Sequence, residues 1–307
     1  DLFPIGRIVG RAQDSLAALL VFAIAVTVTS IPVISRIFLD LGIIRTKFAS
    51  LILGTAIIED MVLWITLAVA TGLVGSAGSS GADIVQHVGA TLLYTVLGLT
   101  VFPKIFGVIN RQRWNLFLKA SPVGYLFLVL FLYGATGASL GINVIFAAFL
   151  AGFGIVGGFN GTERSRFAES IAAMSKVSFG IFIPVYFVLV GKSLVFNHIF
   201  SISLFLTFLV GSSALALVGR GLASYFAGFK RIEIANIAIV SNARGGPGIV
   251  VASVAYEAGI INGSFYTTMV LTAIITSQIA GVWLRYVLHR GWPLLSTPST
   301  NELPDRL

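Results

Sequence analysis

Long runs of uncharged, mostly apolar residues alternate with short charged or Gly/Pro-rich breaks along this chain. A helix needs about 20 apolar residues to cross the hydrocarbon of a bilayer. On that basis the runs predict about nine membrane-spanning helices, with the charge-free stretch 120–162 divided at its glycine-rich centre. The predicted spans are 15–38, 48–75, 84–109, 119–137, 142–158, 175–194, 200–225, 232–257 and 264–287.

The composition agrees with this pattern. Of 307 residues, 57% are hydrophobic and 10% are charged, whereas about a quarter of the residues in soluble domains are charged. We therefore expect an all-α, multi-pass integral membrane protein whose partner is the lipid bilayer. The chain contains no cysteine, which excludes disulfides and thiolate metal sites, and its three histidines are scattered. No cofactor is expected.

The basic residues are distributed unevenly between the predicted loops. A net charge of +8 would favour nucleic-acid binding in a soluble protein, but here alternate loops contain most of the lysines and arginines, the pattern typical of cytoplasmic loops. With an odd number of spans, this predicts a cytoplasmic C-terminus and no nucleic-acid partner. The predicted regions are an outer-side leading segment (1–14), a transmembrane domain (15–290) and a cytoplasmic tail (291–307).

Glu59 and Asp60 are the acidic residues that lie in the middle of a predicted span. They follow Lys47 by about twelve residues, roughly 18–20 Å along a helix. A carboxylate at the bilayer centre costs about 2.5–3.5 kcal/mol, and such acids typically mark ion or proton paths. A packed ion pair that only fixes helix register is the alternative. Neighbouring helix residues point about 100° apart, so one acid can face a cavity while the other is paired.

Arg220 and Arg244 are basic residues inside apolar spans, and they are the candidate partners of the two acids. Arg220 lies nearer the predicted cytoplasmic end, so its side chain could instead extend to the interface. Arg244 is surrounded by glycine and proline, which makes such an extension harder. We expect both arginines to compensate charge within the bundle.

Two predicted spans are interrupted by residues that weaken helices. Proline removes a backbone donor and clashes with the preceding turn, and glycine lowers helix stability. Unwound backbone in a membrane persists where it lines a cavity or is buried, and paired interruptions indicate a transporter site, although a simple proline kink is the alternative for either one. The residues at the breaks are Thr29, Ser30 and Pro32 in the first, and Gly245, Gly246, Pro247 and Gly248 in the second.

Several motifs, in this order, resemble the monovalent cation:proton antiporter superfamily, particularly its sodium and potassium exchanger branch. The segment "TSIPVISRIFLDLGIIRTKFASLILGTAIIEDMVLWITLA" resembles its broken helix, loop and acid-bearing helix. "AAFLAGF" is similar to its small-residue helix, and "FIPVYFVLVGKSL" to its "FFVSVG" signature. "NARGGPGIVVASVAYEAGII" is similar to its second broken helix. The resemblance covers nearly the whole chain.

The resemblance implies an inverted-repeat antiporter fold with two crossed broken helices, within a family pattern of about thirteen helices. It begins at what would be the fifth helix, so we expect the first four family helices to be missing from this sequence. The remaining helices would form a scaffold, and family members are typically dimers. A homodimer through the scaffold helices is therefore the expected assembly.

The resemblance also implies a function and roles for individual residues. The chain would exchange Na⁺ or K⁺ for H⁺, with Asp60 holding a proton or the alkali cation in turn and no enzymatic activity. Glu59 departs from the amide or Asp that familiar members have there, and we expect it to pair with Arg220. Oxygen atoms near Thr29 and Ser30 would complete the coordination, which suits alkali ions.

Two other functions are weighed against exchange. A cation-regulated channel or sensor would need selectivity rings or filter repeats, and none is visible in the sequence. An intramembrane aspartyl protease would need two facing carboxylates from different helices, whereas the acids here are sequence neighbours.

Overall fold

The computed structural model describes residues 5–75, 81–112, 115–142, 144–157, 161–194 and 200–295. Over these ranges the chain is helical and forms no β-strand, as expected for an all-α membrane protein. The α-helices are α1 (Ser15–Thr27), α2 (Ile31–Asp40), α3 (Lys47–Gly75), α4 (Gly81–Val96), α5 (Phe102–Arg111), α6 (Leu116–Ala120), α7 (Pro122–Ser139), α8 (Val144–Gly157), α9 (Gly161–Val177), α10 (Ile183–Lys192), α11 (Ile202–Phe226), α12 (Arg231–Ser241), α13 (Gly245–Glu257) and α14 (Gly263–His289).

Seven helical stretches among the described residues are long and apolar enough to cross a membrane. They are Ser15–Asp40, Lys47–Val74, Gly89–Asn110, Pro122–Ser139, Phe167–Lys192, Ile202–Phe226 and Gly263–His289. The pair α12 and α13, bent by 41°, gives an eighth if it is counted as one span. The predicted count of about nine is not confirmed, because α8, which corresponds to the predicted span 142–158, has only 14 residues.

The described residues divide into two structural units. One spans positions 5–21, 64–194 and 257–260, and the other spans 22–63, 200–256 and 261–295. In the first unit the leading segment bonds to the loop after α13, since Gly10 and Ala12 donate backbone hydrogen bonds to Ile260 and Gly259.

Two π-helical segments, Leu97–Val101 and Ser178–Phe182, interrupt long helices of the first unit. Each is followed two residues later by a proline, Pro103 or Pro184. Proline lacks an N–H group and its ring displaces the carbonyl one turn earlier, so a widened turn accommodates it inside a continuous helix. The sequence patterns did not predict these segments.

The second unit has an apolar core at one end of its helices. Phe38 of α2 and Phe48 of α3 are fully buried there and pack edge to face. Near this core, Asn236 of α12 donates hydrogen bonds to the main-chain oxygens of Pro293 and Leu294, and it accepts one from the Trp283 indole. The start of the predicted tail is therefore attached to α12, whereas positions 296–307 lie outside the described residues.

Candidate functional site

The two interrupted segments of the second unit contact each other. Residues 28–30 are unwound between α1 and α2, and residues 242–244 are unwound between α12 and α13. The backbone N–H of Ser30 donates to the carbonyl of Ala243 at 2.6 Å. The hydroxyl of Thr29 donates to the carbonyl of Ser241, also at 2.6 Å. Carbonyls left without helical partners at the end of α12 are thus bonded by the other break.

The prolines lie beside the unwound residues rather than among them. Pro32 is in the first turn of α2, and Pro247 follows Gly245 and Gly246 in the first turn of α13. The first turn tolerates proline because its N–H groups have no partner within the helix. The prolines and glycines that identified the breaks in the sequence therefore mark where each second half-helix begins.

Gly245 allows the two breaks to come this close. Its φ is +35°, and a Cβ atom there would lie 2.6 Å from the Ser30 hydroxyl oxygen and 2.6 Å from a methyl group of Val33. Any other residue would meet both strain and a steric clash. Gly246 has no atom within 4 Å of its Cβ position, so the restriction falls on one glycine of the pair.

Arg220 joins the first break to the acidic helix. Its Nη2 atom donates to the Thr27 carbonyl, to the Thr29 hydroxyl at 2.8 Å and to Glu59 Oε2 at 3.3 Å. Thr27 is the last residue of α1, where the helix dipole is negative, so a guanidinium is favourable there. The side chain of Arg220 is only 13% exposed, so it does not extend to an interface, and the expected Glu59–Arg220 pair is present.

Glu59 and Asp60 have different surroundings on α3. Glu59 pairs with Arg220, and its side chain remains 33% exposed. Asp60 is buried, with 4% of its surface exposed, and its Oδ1 atom has no hydrogen-bond partner. No ion pair to Asp60 is found among the residues that the structure describes. Because neighbouring residues on a helix point about 100° apart, one carboxylate can pair with Arg220 while the other is buried in different surroundings.

Arg244 is not placed next to either acid. It is 2% exposed, and it donates from Nη1 to the Ser212 hydroxyl and from Nη2 to the Asn242 side-chain oxygen. Its guanidinium also lies 5.7 Å from the ring centre of Phe208, a cation–π contact. Within the described ranges it has no carboxylate in ion-pair range. Of the two candidate partners of the acids, Arg220 contacts Glu59, whereas Arg244 contacts Ser212, Asn242 and Phe208.

The hydroxyls that were candidate cation ligands are already bonded in this structure. Thr29 donates to Ser241 and accepts from Arg220. Ser30 is the N-cap of α2, where its side chain accepts from the Val33 N–H at 3.4 Å. Each hydroxyl oxygen has a second lone pair, so a cation that used either one would share the oxygen with the donor already bonded to it.

Some residues at this site were not predicted from the sequence. Ser212 of α11 binds Arg244, and Thr276 and Ser277 of α14 accept from the backbone N–H groups of Arg244 and Gly245. The spacing of hydroxyl residues at every fourth position of the last span was a usable signal for Thr276, but Ser277 lies outside that spacing. Ser212 is one of several hydroxyl residues in a mostly apolar helix, and nothing in the sequence distinguished it from Ser213 beside it.

Comparison with known proteins identifies the family. The model of the family described as "Sodium/hydrogen exchanger, transmembrane" matches residues 4–290, which is nearly the whole chain. The chain belongs to this family. The resemblance deduced from its motifs is thus confirmed at the level of the family.

Named relatives of this exchanger-family chain are distant. It is 24% identical over 273 residues to "Probable Na(+)/H(+) antiporter 3" of Methanocaldococcus jannaschii, covering 87% of this chain and 68% of the relative. It is also 24% identical over 282 residues to "Na(+)/H(+)-K(+) antiporter GerN" of Bacillus cereus, covering 92% and 70%. "Cation/H(+) antiporter 15" of Arabidopsis thaliana is 24% identical over 275 residues, and there the chain spans only 33% of the relative.

Proposed function

We propose that this chain exchanges a monovalent cation, Na⁺ or K⁺, for a proton across a membrane, and that Asp60 holds the two in turn. The observation that supports this role is the buried Oδ1 atom of Asp60, which has no hydrogen-bond partner among the described residues. A buried carboxylate is unfavourable unless it is protonated or paired with a positive charge. A proton and an alkali cation each satisfy that requirement, and one excludes the other.

When no cation is bound, the Arg220 side chain occupies oxygen atoms of the proposed site. Its Nη2 atom contacts a carbonyl, a hydroxyl and a carboxylate oxygen, from Thr27, Thr29 and Glu59. These are the ligand types that hard cations prefer. Cation binding near Asp60 would weaken the Glu59–Arg220 pair by repelling the guanidinium and by competing for these oxygens. Arg244, whose contacts are with Ser212 and Asn242 and not with the acids, would compensate charge at the second break.

The contact between the two breaks supports alternating access. In an inverted-repeat antiporter fold, broken helices form the ion site, and one bundle rocks against the other around it. The hydrogen bonds from Ser30 to Ala243 and from Thr29 to Ser241 hold the two broken segments of this chain together, which supports such a site. Half-helix ends at the crossing would offset the charge of the bound ion.

The channel and protease alternatives gain no support from this geometry. Glu59 and Asp60 belong to one helix, α3, so this site does not place carboxylates from two helices opposite each other. The expected cytoplasmic C-terminus and the homodimer through scaffold helices stay predictions from charge placement and from the family resemblance.

The test is proton movement in liposomes containing the full chain, driven by an imposed Na⁺ or K⁺ gradient. The protein should move protons against their gradient, and Asp60→Asn should abolish this movement. Asp40→Asn is the control, because Asp40 is exposed and pairs only with Arg36 one turn earlier. Retained cation-driven proton movement in Asp60→Asn would refute the role of Asp60, and cation flux without proton movement in the unmodified chain would indicate a channel.

A further inference from the structure

Helix α14 contains a row of buried hydroxyl side chains that the proposed function does not use. Ser264, Thr268, Thr272 and Thr276 follow one another at intervals of four residues, and each is at most 6% exposed. Helix residues four apart lie on one face, with Cβ atoms about 5–6 Å apart. This hydroxyl row runs from the first turn of α14 to the second break, where Thr276 accepts from the backbone N–H of Arg244.

The two middle members of the hydroxyl row have no hydrogen-bond partner. Thr268 Oγ1 and Thr272 Oγ1 are buried and unbonded. Hydroxyls in a helix commonly bond to the carbonyl one turn earlier, and neighbours of these two do so: Thr267 donates to Gly263, and Thr276 to Thr272. The missing bonds of Thr268 and Thr272 therefore distinguish them from other hydroxyls on the same helix.

A third unpartnered group belongs to Arg244, whose backbone N–H bonds to Thr276 at the end of the hydroxyl row. The Nε atom of Arg244 is buried and unbonded, although Arg244 is only 2% exposed and its Nη atoms are bonded to Ser212 and Asn242. Buried polar groups are nearly always bonded to protein or to ordered water. Two hydroxyls without partners among the described residues, together with an unbonded donor on the residue that bonds to the end of the row, indicate a ligand that can both donate and accept.

We propose that water molecules bind between consecutive hydroxyls of the row, at Thr268–Thr272 and at Thr272–Thr276. A water with two O–H···O hydrogen bonds of about 2.8 Å bridges oxygen atoms about 4.5 Å apart, a separation that hydroxyls on Cβ atoms about 5–6 Å apart can reach when their side chains lean towards each other. An alkali cation would be repelled by the buried positive charge of Arg244, the residue whose backbone N–H bonds to Thr276. Water is neutral, and a hydroxyl can bond to it as donor or acceptor.

These waters would solvate the second break. Arg244 and Gly245 donate their backbone N–H groups to Thr276 and Ser277 in this structure. If the start of α13 moves during exchange, nearby waters provide substitute partners for these amides. This consequence rests on the proposed function, and it predicts that loss of the waters slows turnover without changing the cation concentration at half-maximal rate.

Radiolytic footprinting tests the water sites independently of transport. Millisecond X-ray exposure produces hydroxyl radicals from bound water, which oxidise adjacent side chains. Met269, which is 3% exposed and follows Thr268 in the chain, is the reporter. The full chain in liposomes should show rapid Met269 oxidation, which should fall at least about fivefold in Thr268→Val/Thr272→Val. Thr267→Val is the matched control, because the Thr267 hydroxyl bonds to Gly263 and lies off the row.

The outcomes separate the water sites from exchange. A protected Met269 in the unmodified chain, or equal oxidation in the double variant, would overturn the water sites whether or not the chain transports ions. In the flux assay, the double variant should turn over at least about fivefold more slowly than Thr267→Val, with the same half-maximal cation concentration. Lost oxidation with unchanged turnover would reject the role of these waters in exchange.

Discussion

The hydroxyl of Thr29 donates a 2.6 Å hydrogen bond to the main-chain oxygen of Ser241, the last residue of α12. The same hydroxyl accepts from Arg220, which also holds Glu59. One side chain thus connects the second broken helix, through the guanidinium, to the acidic helix. A displacement of the first break would change the partners of Arg220, and a displacement of the second would remove the Ser241 partner of Thr29, so the proposed cation site is linked to both breaks.

Replacement of Thr29 by valine keeps the side-chain shape and removes the hydroxyl. The Ser241 carbonyl would then be buried without its partner, which costs about 1–3 kcal/mol. We expect the free energy of unfolding to fall by this amount and the half-maximal cation concentration to rise about tenfold, which corresponds to the loss of a ligand worth about 1.4 kcal/mol. Thermal unfolding and initial rates of cation-driven proton flux measure the two effects.

Thr55→Val is the control for this substitution. The Thr55 hydroxyl is bonded within its own helix to the Leu51 carbonyl and is exposed, so its removal should change neither quantity by much. Thr29→Ser keeps the hydroxyl and should retain most of the affinity. Equal effects of Thr29→Val and Thr55→Val would contradict a specific role for Thr29.

Replacement of Gly245 by alanine should destabilise the contact between the breaks. The added Cβ would lie 2.6 Å from the Ser30 hydroxyl oxygen, and the positive φ of Gly245 strains any side chain. We expect a loss of about 1–3 kcal/mol in unfolding free energy, measured by thermal unfolding of the purified chain. Gly246→Ala, where the new Cβ meets nothing within 4 Å, should be much milder. An equal loss in both variants would show that the close approach at Gly245 does not determine the effect, since helix propensity alone favours alanine at both positions.

The Glu59–Arg220 pair should show measurable energetic coupling. Glu59→Gln and Arg220→Gln each leave one charge without its partner, whereas the double variant removes both charges. Because Glu59 is one-third exposed, we expect a coupling of only about 1 kcal/mol in a double-mutant cycle of unfolding free energies. The control cycle uses Arg36 and Asp40, an exposed pair whose coupling should stay below about 0.5 kcal/mol. A larger coupling in the control would mean that the Glu59–Arg220 contact contributes no more than a surface pair.

The sequence predicted those features of the site that depend on local chemistry. Apolar length identified the long helices, and the two carboxylates were unusual enough in an apolar run to indicate a site. Proline and glycine located the breaks to within a few residues. Each of these signals is visible in a short window, because the physical cost of a charge or a helix breaker arises where the residue lies.

The partners of these residues could not be predicted in the same way. Thr29 bonds to a main-chain oxygen 212 positions away. Because every residue has a main-chain carbonyl, the residue type does not reveal which one is the partner. Arg244 was a candidate partner of the acids, but its side chain contacts Ser212 and Phe208. The 14-residue α8 and the π segments similarly depend on neighbouring helices. Long-range contacts of this kind follow from the fold and not from local propensity.

The close approach of the Tyr133 hydroxyl to Gly154 in the first unit gives a prediction that can be tested without a transport assay. The Tyr133 hydroxyl donates to the carbonyl of Gly98 in the π-helical segment. A Cβ at Gly154 of α8 would lie 2.1 Å from that hydroxyl oxygen. Gly154→Ala should therefore displace Tyr133, leave the Gly98 carbonyl unbonded and lower the unfolding free energy by about 2 kcal/mol or more.

The matched control and a rescue variant make this test specific. Gly152→Ala, on the same helix but with nothing within 4 Å of its Cβ position, should have little effect. Tyr133→Phe should itself cost about 1 kcal/mol, because the Gly98 carbonyl loses its donor. In combination with Gly154→Ala it should cost less than the sum of the two changes, since the clashing oxygen is gone. Additive losses would show that the alanine acts elsewhere, and thermal unfolding of all four variants distinguishes these results.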